Sequence, residues 1–363
     1  MTAITSFDSD ELLAVRVGQV GSLTLNRPRV LNVLTPIMVD GLYATLKAWR
    51  ADPQVKAVVL RGAARDDGKV PFCAGGDIRM IYDQRTDPKR SFAVRFYQEE
   101  YRLNRCLYEF PKPHVALIDG VVMGGGVGAS IHGSHRVMSE RTLFAMPETG
   151  IGLFPDVGAT YFLPRCPGHF GLYMGLTGAR IGVADALFLG LGTHYVPSSN
   201  IAALDRALCE SDYARDARKT VDAVITEFAA KPPIAPLEAH RHAIERAFSA
   251  PSVEEIFARL EADGSPFVTE TLKQLRAKSP RSLKVTYRQL TRYSSLSFEE
   301  AMKLEYRMAV HCNFSHDFFE GVRAVVVDKD QAPKWQPARL EEVTEAMVDA
   351  YFLPPASGDM TFE

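Results

Sequence analysis

Apolar residues in the first 60 positions recur with two different spacings. Leu12 to Val17 and Val20 to Asn26 read as two strands of a hairpin. From Thr35 to Ala51 the spacing lengthens. Met38, Leu42, Leu46 and Trp49 recur three and four residues apart, which gives a helix one apolar side, and Asp52-Pro53 closes it. Val55 to Arg61 then reads as a buried strand. A second cycle follows the segment Pro71-Phe-Cys-Ala-Gly-Gly76: a helix from Asp77, a long helix from about Ser91 to Phe110, and the strand His114 to Asp119 behind Pro113. Gly120 to Gly128 holds five glycines in nine residues, and the small-residue run Val127 to His132 predicts a helix packed too closely for larger side chains. Beyond about Asn200 strand signals almost vanish. Ser252-Val-Glu-Glu255 and Ser297-Phe-Glu-Glu300 have the form of capping boxes that open helices. The pattern is that of an α/β chain with a mainly helical C-terminal region, and Pro197-Ser198-Ser199 marks a boundary between residues 1–197 and 198–363.

A length of 363 residues fits two or three domains, or one large domain with an appendage. With 46% hydrophobic and 24% charged residues, the chain is neither disordered, collagenous nor a coiled coil as a whole. Its net charge of -2 offers no pull toward nucleic acid or anionic lipid. No apolar run approaches the roughly 20 residues of a membrane-spanning helix. Met1 to Leu13 carries Asp8, Asp10 and Glu11 and lacks the basic start of a signal peptide, so a cytoplasmic location is expected. The five cysteines are odd in number and never form Cys-x-x-Cys, which predicts reduced thiols and no thiolate metal site.

Several chemistries fail on their motifs. Gly124-Gly-Gly-Val-Gly-Ala129 fits a loose dinucleotide pattern but lacks the acidic residue on a following strand. There is no P-loop and no G-x-S-x-G nucleophile elbow. His132 and His135 could share a helix face, but without a His-Glu-x-x-His context they read as capping or partly buried histidines. The glycines admit two readings of equal weight. Gly75-Gly76 and Gly124 to Gly126 each precede a helix and expose backbone N–H groups suited to an oxyanion, or they are tight turns where backbones pass closely. Glu100 is in phase with Phe96 and Tyr97 behind it and Leu103 and Leu107 ahead, which puts a carboxylate on or beside an inward stripe. Glu148 and Asp156 follow prolines, where turn chemistry competes with catalysis.

Leu25-Asn-Arg-Pro28, Phe72-Cys-Ala-Gly-Gly-Asp77 and Asp119-Gly-Val-Val-Met-Gly-Gly-Gly126 resemble, in order and spacing, the crotonase (enoyl-CoA hydratase/isomerase) superfamily. Phe144-Ala-Met-Pro-Glu-Thr-Gly-Ile-Gly-Leu-Phe-Pro-Asp156 and Glu320-Gly-Val-Arg-Ala-Val-Val-Val-Asp-Lys-Asp-Gln331 are similar to its 3-hydroxyisobutyryl-CoA hydrolase branch. The resemblance implies a β-β-α spiral core that binds a CoA thioester, with the Gly76 and Gly125 amides as oxyanion donors. It also implies a CoA-binding segment over Gly76, Asp77, Ile78 and Arg79, with the Asn26 to Leu31 loop beside the pantetheine and nucleotide. Glu148 and Asp156 match catalytic positions, and Glu100 matches one that lines the substrate site. The implied reaction is hydrolysis of a short 3-hydroxyacyl-CoA in valine breakdown. No metal or redox cofactor is implied, CoA being part of the substrate, and association into a homo-oligomer is left open. One departure is informative: where hydratases of the superfamily place a first glutamate, this chain has Gly128, which can move no proton. A hydratase or isomerase, and a CoA-binding scaffold without activity, are the alternatives.

Overall fold

The computed structural model describes residues 9–356 and 358–362; most of the N-terminal stretch read above for a leader, residues 1–8, lies outside them. The strands are β1 (Leu12–Val17), β2 (Val20–Leu25), β3 (Ala57–Gly62), β4 (His114–Ile118), β5 (Val121–Met123), β6 (His135–Met138), β7 (Leu143–Ala145) and β8 (His194–Tyr195). The hairpin β1–β2 is antiparallel and turns at Gly18, whose φ of 58° suits glycine. The pairs β2–β3, β3–β4, β4–β6 and β6–β8 are parallel and complete a six-stranded sheet, while β5 and β7 form a separate two-stranded one. Every residue of β4 is buried, and so are Ala57 to Leu60 in β3. These are the continuous apolar runs of parallel strands covered on both faces.

The helices are α1 (Pro36–Ala51), α2 (Ile78–Asp83), α3 (Ser91–Tyr108), α4 (Gly125–Ile131), α5 (Ala159–Phe162), α6 (Phe170–Thr177), α7 (Val183–Phe188), α8 (Ser198–Glu210) and α9 (Ala217–Phe228). They continue with α10 (Arg241–Phe248), α11 (Val253–Asp263), α12 (Pro266–Arg276), α13 (Pro280–Arg292), α14 (Phe298–Cys312), α15 (His316–Val322) and α16 (Glu345–Asp349). Thr35 caps α1 by accepting the Met38 N–H, and Trp49 at its far end packs flat on Gly21 of β2, where any Cβ would clash with the indole. Ser297 and Glu300 form the expected capping box on α14. At α11 only half of the box is made, Ser252 accepting from the Glu255 N–H. Beyond Tyr195 the described residues contain no strand.

The chain divides into two compact units, and neither is a continuous stretch. One comprises the residues up to Gly76, Arg102–Phe144 and Arg180–Ala235; the other comprises Asp77–Tyr101, Ala145–Ala179 and Pro236 onward. The single cut expected at residue 197 is therefore not where the compact units part. The physical reason lies in the core of the first unit: Leu204 and Leu208 of α8 and Val221 and Ile225 of α9 are buried with Val20, Val59, Val115, Leu117 and Val137 of the sheet. Residues 198–235 supply the apolar cover without which one sheet face would meet water. In the second unit, α3 up to Tyr101 and the segment 145–179 share a core with the C-terminal helices, for example Tyr173 against Phe248 and Phe267.

Candidate active site

In the first unit, the segments Phe72–Gly76 and Val121–Gly125 run side by side. Cys73 pairs with Val122 in a parallel bridge; its N–H donates to Val121 O and its carbonyl accepts from the Met123 N–H, each at 3.0 Å. Three residues further along both segments, the same register reaches Gly76 and Gly125. Each segment bends immediately before that point, at Gly75 (φ 116°) and Gly124 (φ 47°), where a side chain would be strained. A Cβ on Gly126 would stand 2.3 Å from Cys73 O, so the close approach itself demands glycine. Gly125 opens α4, so its N–H has no carbonyl four residues back within the helix. Among the described residues neither the Gly76 nor the Gly125 amide donates to a backbone carbonyl. The glycine loops thus combine a close backbone passage with two free donors in register. Gly128 lies buried within α4.

The second unit gathers three carboxyl groups. Glu100 projects from α3 beside the buried Phe96, Tyr97 and Tyr101, with 3% of its surface exposed. Glu148 opens a 3-10 turn, Glu148–Ile151, behind Pro147, and is 5% exposed. That turn is fixed from several sides: Thr149 O accepts the Ser279 N–H, and the Thr149 hydroxyl donates to Leu176 O. Helix α15 lies so close that a Cβ on Gly152 would meet Asp317 O at 2.3 Å, and one on Gly321 would meet the Ile151 backbone. Asp156 is 4% exposed, and its Oδ2 accepts the Tyr101 hydroxyl at 2.9 Å.

Burial dominates the electrostatics of this group. It pushes Glu100 and Glu148 well above the usual carboxylate range, with the Asp156 charge adding to both; Lys278 pulls Glu148 the other way. Asp156 is pushed up by burial to about 7, against the Tyr101 hydrogen bond, which favours the charged form. Oε1 of Glu100 and Oε2 of Glu148 have no hydrogen-bond partner among the described residues. Unsatisfied, desolvated carboxyl oxygens destabilise the fold and are retained where chemistry needs them. Burial first, and the Asp156 charge second, disfavour the charged forms of Glu100 and Glu148. The cluster can therefore hold a proton on one carboxyl beside a charged neighbour, the requirement for acid and base roles at one site.

The remaining expected positions lie apart from these carboxylates in character. Asp77 precedes α2 as its N-cap residue and Ile78 begins it, both half-buried, whereas Arg79 is exposed and pairs with Asp83 at 3.1 Å. His135 has both ring nitrogens engaged, with Ser134 and with Asp222, as structural histidines do. Among the described residues no group of three or more His, Cys, Asp or Glu is disposed to hold a metal, and none of the five cysteines is in a disulfide. Sequence reasoning missed Tyr101. Its signal was available, since it follows Glu100 on the same inward stripe, but a buried tyrosine in a helix reads as core.

Residues 20–352 match the enoyl-CoA hydratase/isomerase family. The chain belongs to that family. Within it, this member is similar to the mitochondrial 3-hydroxyisobutyryl-CoA hydrolase of Homo sapiens, 44% identical over 98% of this chain and 91% of the relative. The corresponding hydrolase of Danio rerio is 45% identical over 96% of this chain and 91% of the relative. A crystal structure of a carnitinyl-CoA dehydratase from Mycobacterium thermoresistibile superposes with a TM-score of 0.90 at 42% identity, covering 98% of this chain and 99% of that one. An enoyl-CoA hydratase from Rhodobacter sphaeroides superposes at 0.88 with 38% identity, covering 97% and 100%. The crotonase-like α/β core with its helical C-terminal region is therefore the fold of this family member. The expected cytoplasmic location is overturned, because the similar hydrolases are mitochondrial. A short acidic stretch lacking a signal-peptide pattern distinguishes secretion from its absence and says nothing about other compartments.

Proposed function

We propose that this protein hydrolyses 3-hydroxyisobutyryl-CoA to 3-hydroxyisobutyrate and CoA, the thioester-cleaving step of valine breakdown. The observation that carries the reading is near-full-length similarity to proteins named for that reaction. The chemistry of the residues agrees. The Gly76 and Gly125 amides are the donors for the thioester oxygen as it becomes an oxyanion, a role worth about 3 to 4 kcal/mol per donor in other hydrolases. Glu148 carries the central step by one of two routes. Its carboxylate attacks the carbonyl carbon, expels the CoA thiolate and leaves a mixed anhydride that water then opens, or it takes a proton from the water that attacks directly. Asp156 and Glu100 receive the 3-hydroxyl, and the proton retained among the carboxyls is available to the departing thiolate. Besides the acyl-CoA substrate and water, this route uses only groups of the chain and calls on no metal or redox cofactor.

A second reading, hydration of a double bond, is favoured by the names of the two crystal structures. It lacks the first of the two glutamates that hydratases use, because residue 128 is glycine. Thiol release from 3-hydroxyisobutyryl-CoA, measured beside loss of the crotonyl-CoA double bond, separates the two. Rapid release with negligible hydration is expected; the reverse result would replace the hydrolase reading.

A further inference from the structure

Asp156 sits on a turn whose shape is unfavourable in isolation. Val157, a β-branched residue, has φ 52°, and Gly158 follows at φ 94°. Left-handed backbone at valine is rare and persists only where surrounding contacts over-determine it. Two buried side chains supply those contacts. Glu305 of α14 accepts the Gly158 N–H on Oε2 at 2.7 Å and the Thr160 N–H on Oε1 at 2.8 Å. Gln289 of α13 donates from Nε2 to Pro155 O at 2.7 Å and to the Thr160 hydroxyl oxygen at 2.8 Å. Both residues are fully buried. The four bonds bracket Asp156 on either side along the chain, at 155 and at 158 to 160, while the Tyr101 hydroxyl fixes the carboxylate itself. A glycine or asparagine at 157 would relieve the turn without any such support. The chain instead keeps valine and places a buried carboxylate to restrain it.

We propose that Glu305 and Gln289 are positioning residues for the hydrolytic reaction, forming a two-helix clamp on turn 155–160 that aims the Asp156 carboxylate. The inference rests on the catalytic reading of Asp156 given above. A clamp of this kind acts through Asp156 alone, which distinguishes it from a general packing role.

The test is a double-mutant cycle with thiol release from 3-hydroxyisobutyryl-CoA as the readout. Glu305→Gln keeps the size of the side chain but turns an NH2 toward one backbone N–H. It should lower kcat by about tenfold or more while KM stays within about twofold, because the CoA-binding segment is not on this turn. In a background that already carries Asp156→Asn, the same change should cost no further activity. Gln289→Met, which removes both donor bonds at nearly constant volume, should repeat this pattern and decides the matter where Glu305→Gln does not fold. Losses that multiply across the Asp156→Asn background, or wild-type kcat in folded Gln289→Met, would overturn the clamp. Full activity in Asp156→Asn alone would instead remove the catalytic reading of Asp156, and the clamp with it.

Discussion

Gly126→Ala tests the glycine loops without touching a donor amide. The added methyl would lie 2.3 Å from Cys73 O and 2.7 Å from Cys73 Cβ, and real Cβ contacts essentially never fall below 3.0 Å. The two segments must therefore separate by about 0.7 Å at the point where Cys73 O receives the Met123 N–H. Overpacking of this size costs about 1 to 3 kcal/mol, which a domain of ordinary stability survives with a melting temperature only a few degrees lower. Catalysis is less tolerant. Oxyanion donors act at about 2.7 to 3.1 Å, and a shift of this magnitude takes one of the two register-matched amides out of range. Loss of one such donor lowers kcat by about 100-fold to 1000-fold. Thiol release gives kcat, and calorimetry gives the melting temperature. Gly182→Ala is the control, since a Cβ there meets nothing within 4 Å and its φ is -88°. Near-wild-type kcat in a folded Gly126→Ala protein, or equal damage from Gly182→Ala, would refute the reasoning.

Three further outcomes follow from the titrating groups. Glu148→Gln should abolish turnover while CoA-ester binding measured by calorimetry persists, since the amide keeps the shape but neither attacks nor takes a proton. The raised pKa of Asp156, about 7 against an ordinary 3.8, means that its charge opposes folding: the stability it allows is complete below about pH 4 and lost as pH rises through 7. Asp156→Asn should therefore raise the melting temperature relative to wild type at pH 8 but not at pH 4, with a ceiling of about 4 kcal/mol, even as activity falls. His114, fully buried and with neither ring nitrogen hydrogen-bonded among the described residues, is held down by burial at about 4 from an ordinary 6.5. It stabilises the fold above about pH 6.5 and loses on the order of 3 kcal/mol as pH falls toward 4, so the gap in melting temperature between pH 7.5 and pH 5 should narrow in His114→Leu.

Elements with a sustained pattern were legible in the sequence. The hairpin, α1 and the long α3 follow from the spacing of their apolar residues, and the glycine segments announced a close backbone passage that the Cys73–Val122 bridge makes concrete. Short strands were not legible. The three residues of β5 and the two of β8 carry too little pattern to separate from a turn, and their pairing depends on partners distant in sequence. The phase of Glu100 on α3 placed a carboxylate on or beside an inward stripe, and the family resemblance assigned it to the substrate site. Glu305 sent the same signal, lying in phase with the buried Ala301, Met302, Met308 and Ala309, but a glutamate in a charged helix reads as solvated unless its period is checked residue by residue. Gln289 gave still less warning, since its role is set by the carbonyl it meets 134 residues away.

The interleaving of the two units also sets a schedule for the chain as it is made. Strands β1 to β6 are complete once Met138 has been added, but the helices that cover the sheet end only with α9 at Phe228. At about 5 to 20 residues per second, some 5 to 20 s of synthesis separate the two events. Throughout that interval the nascent sheet has β1 to β4 and β6, gaining β8 only at Tyr195, and lacks the complete apolar surface of Leu204, Leu208, Val221 and Ile225. A product that terminated at residue 197 would be arrested in that state permanently, presenting Val20, Val59, Val115, Leu117 and Val137 to water as a surface for chaperones or for other unfinished copies.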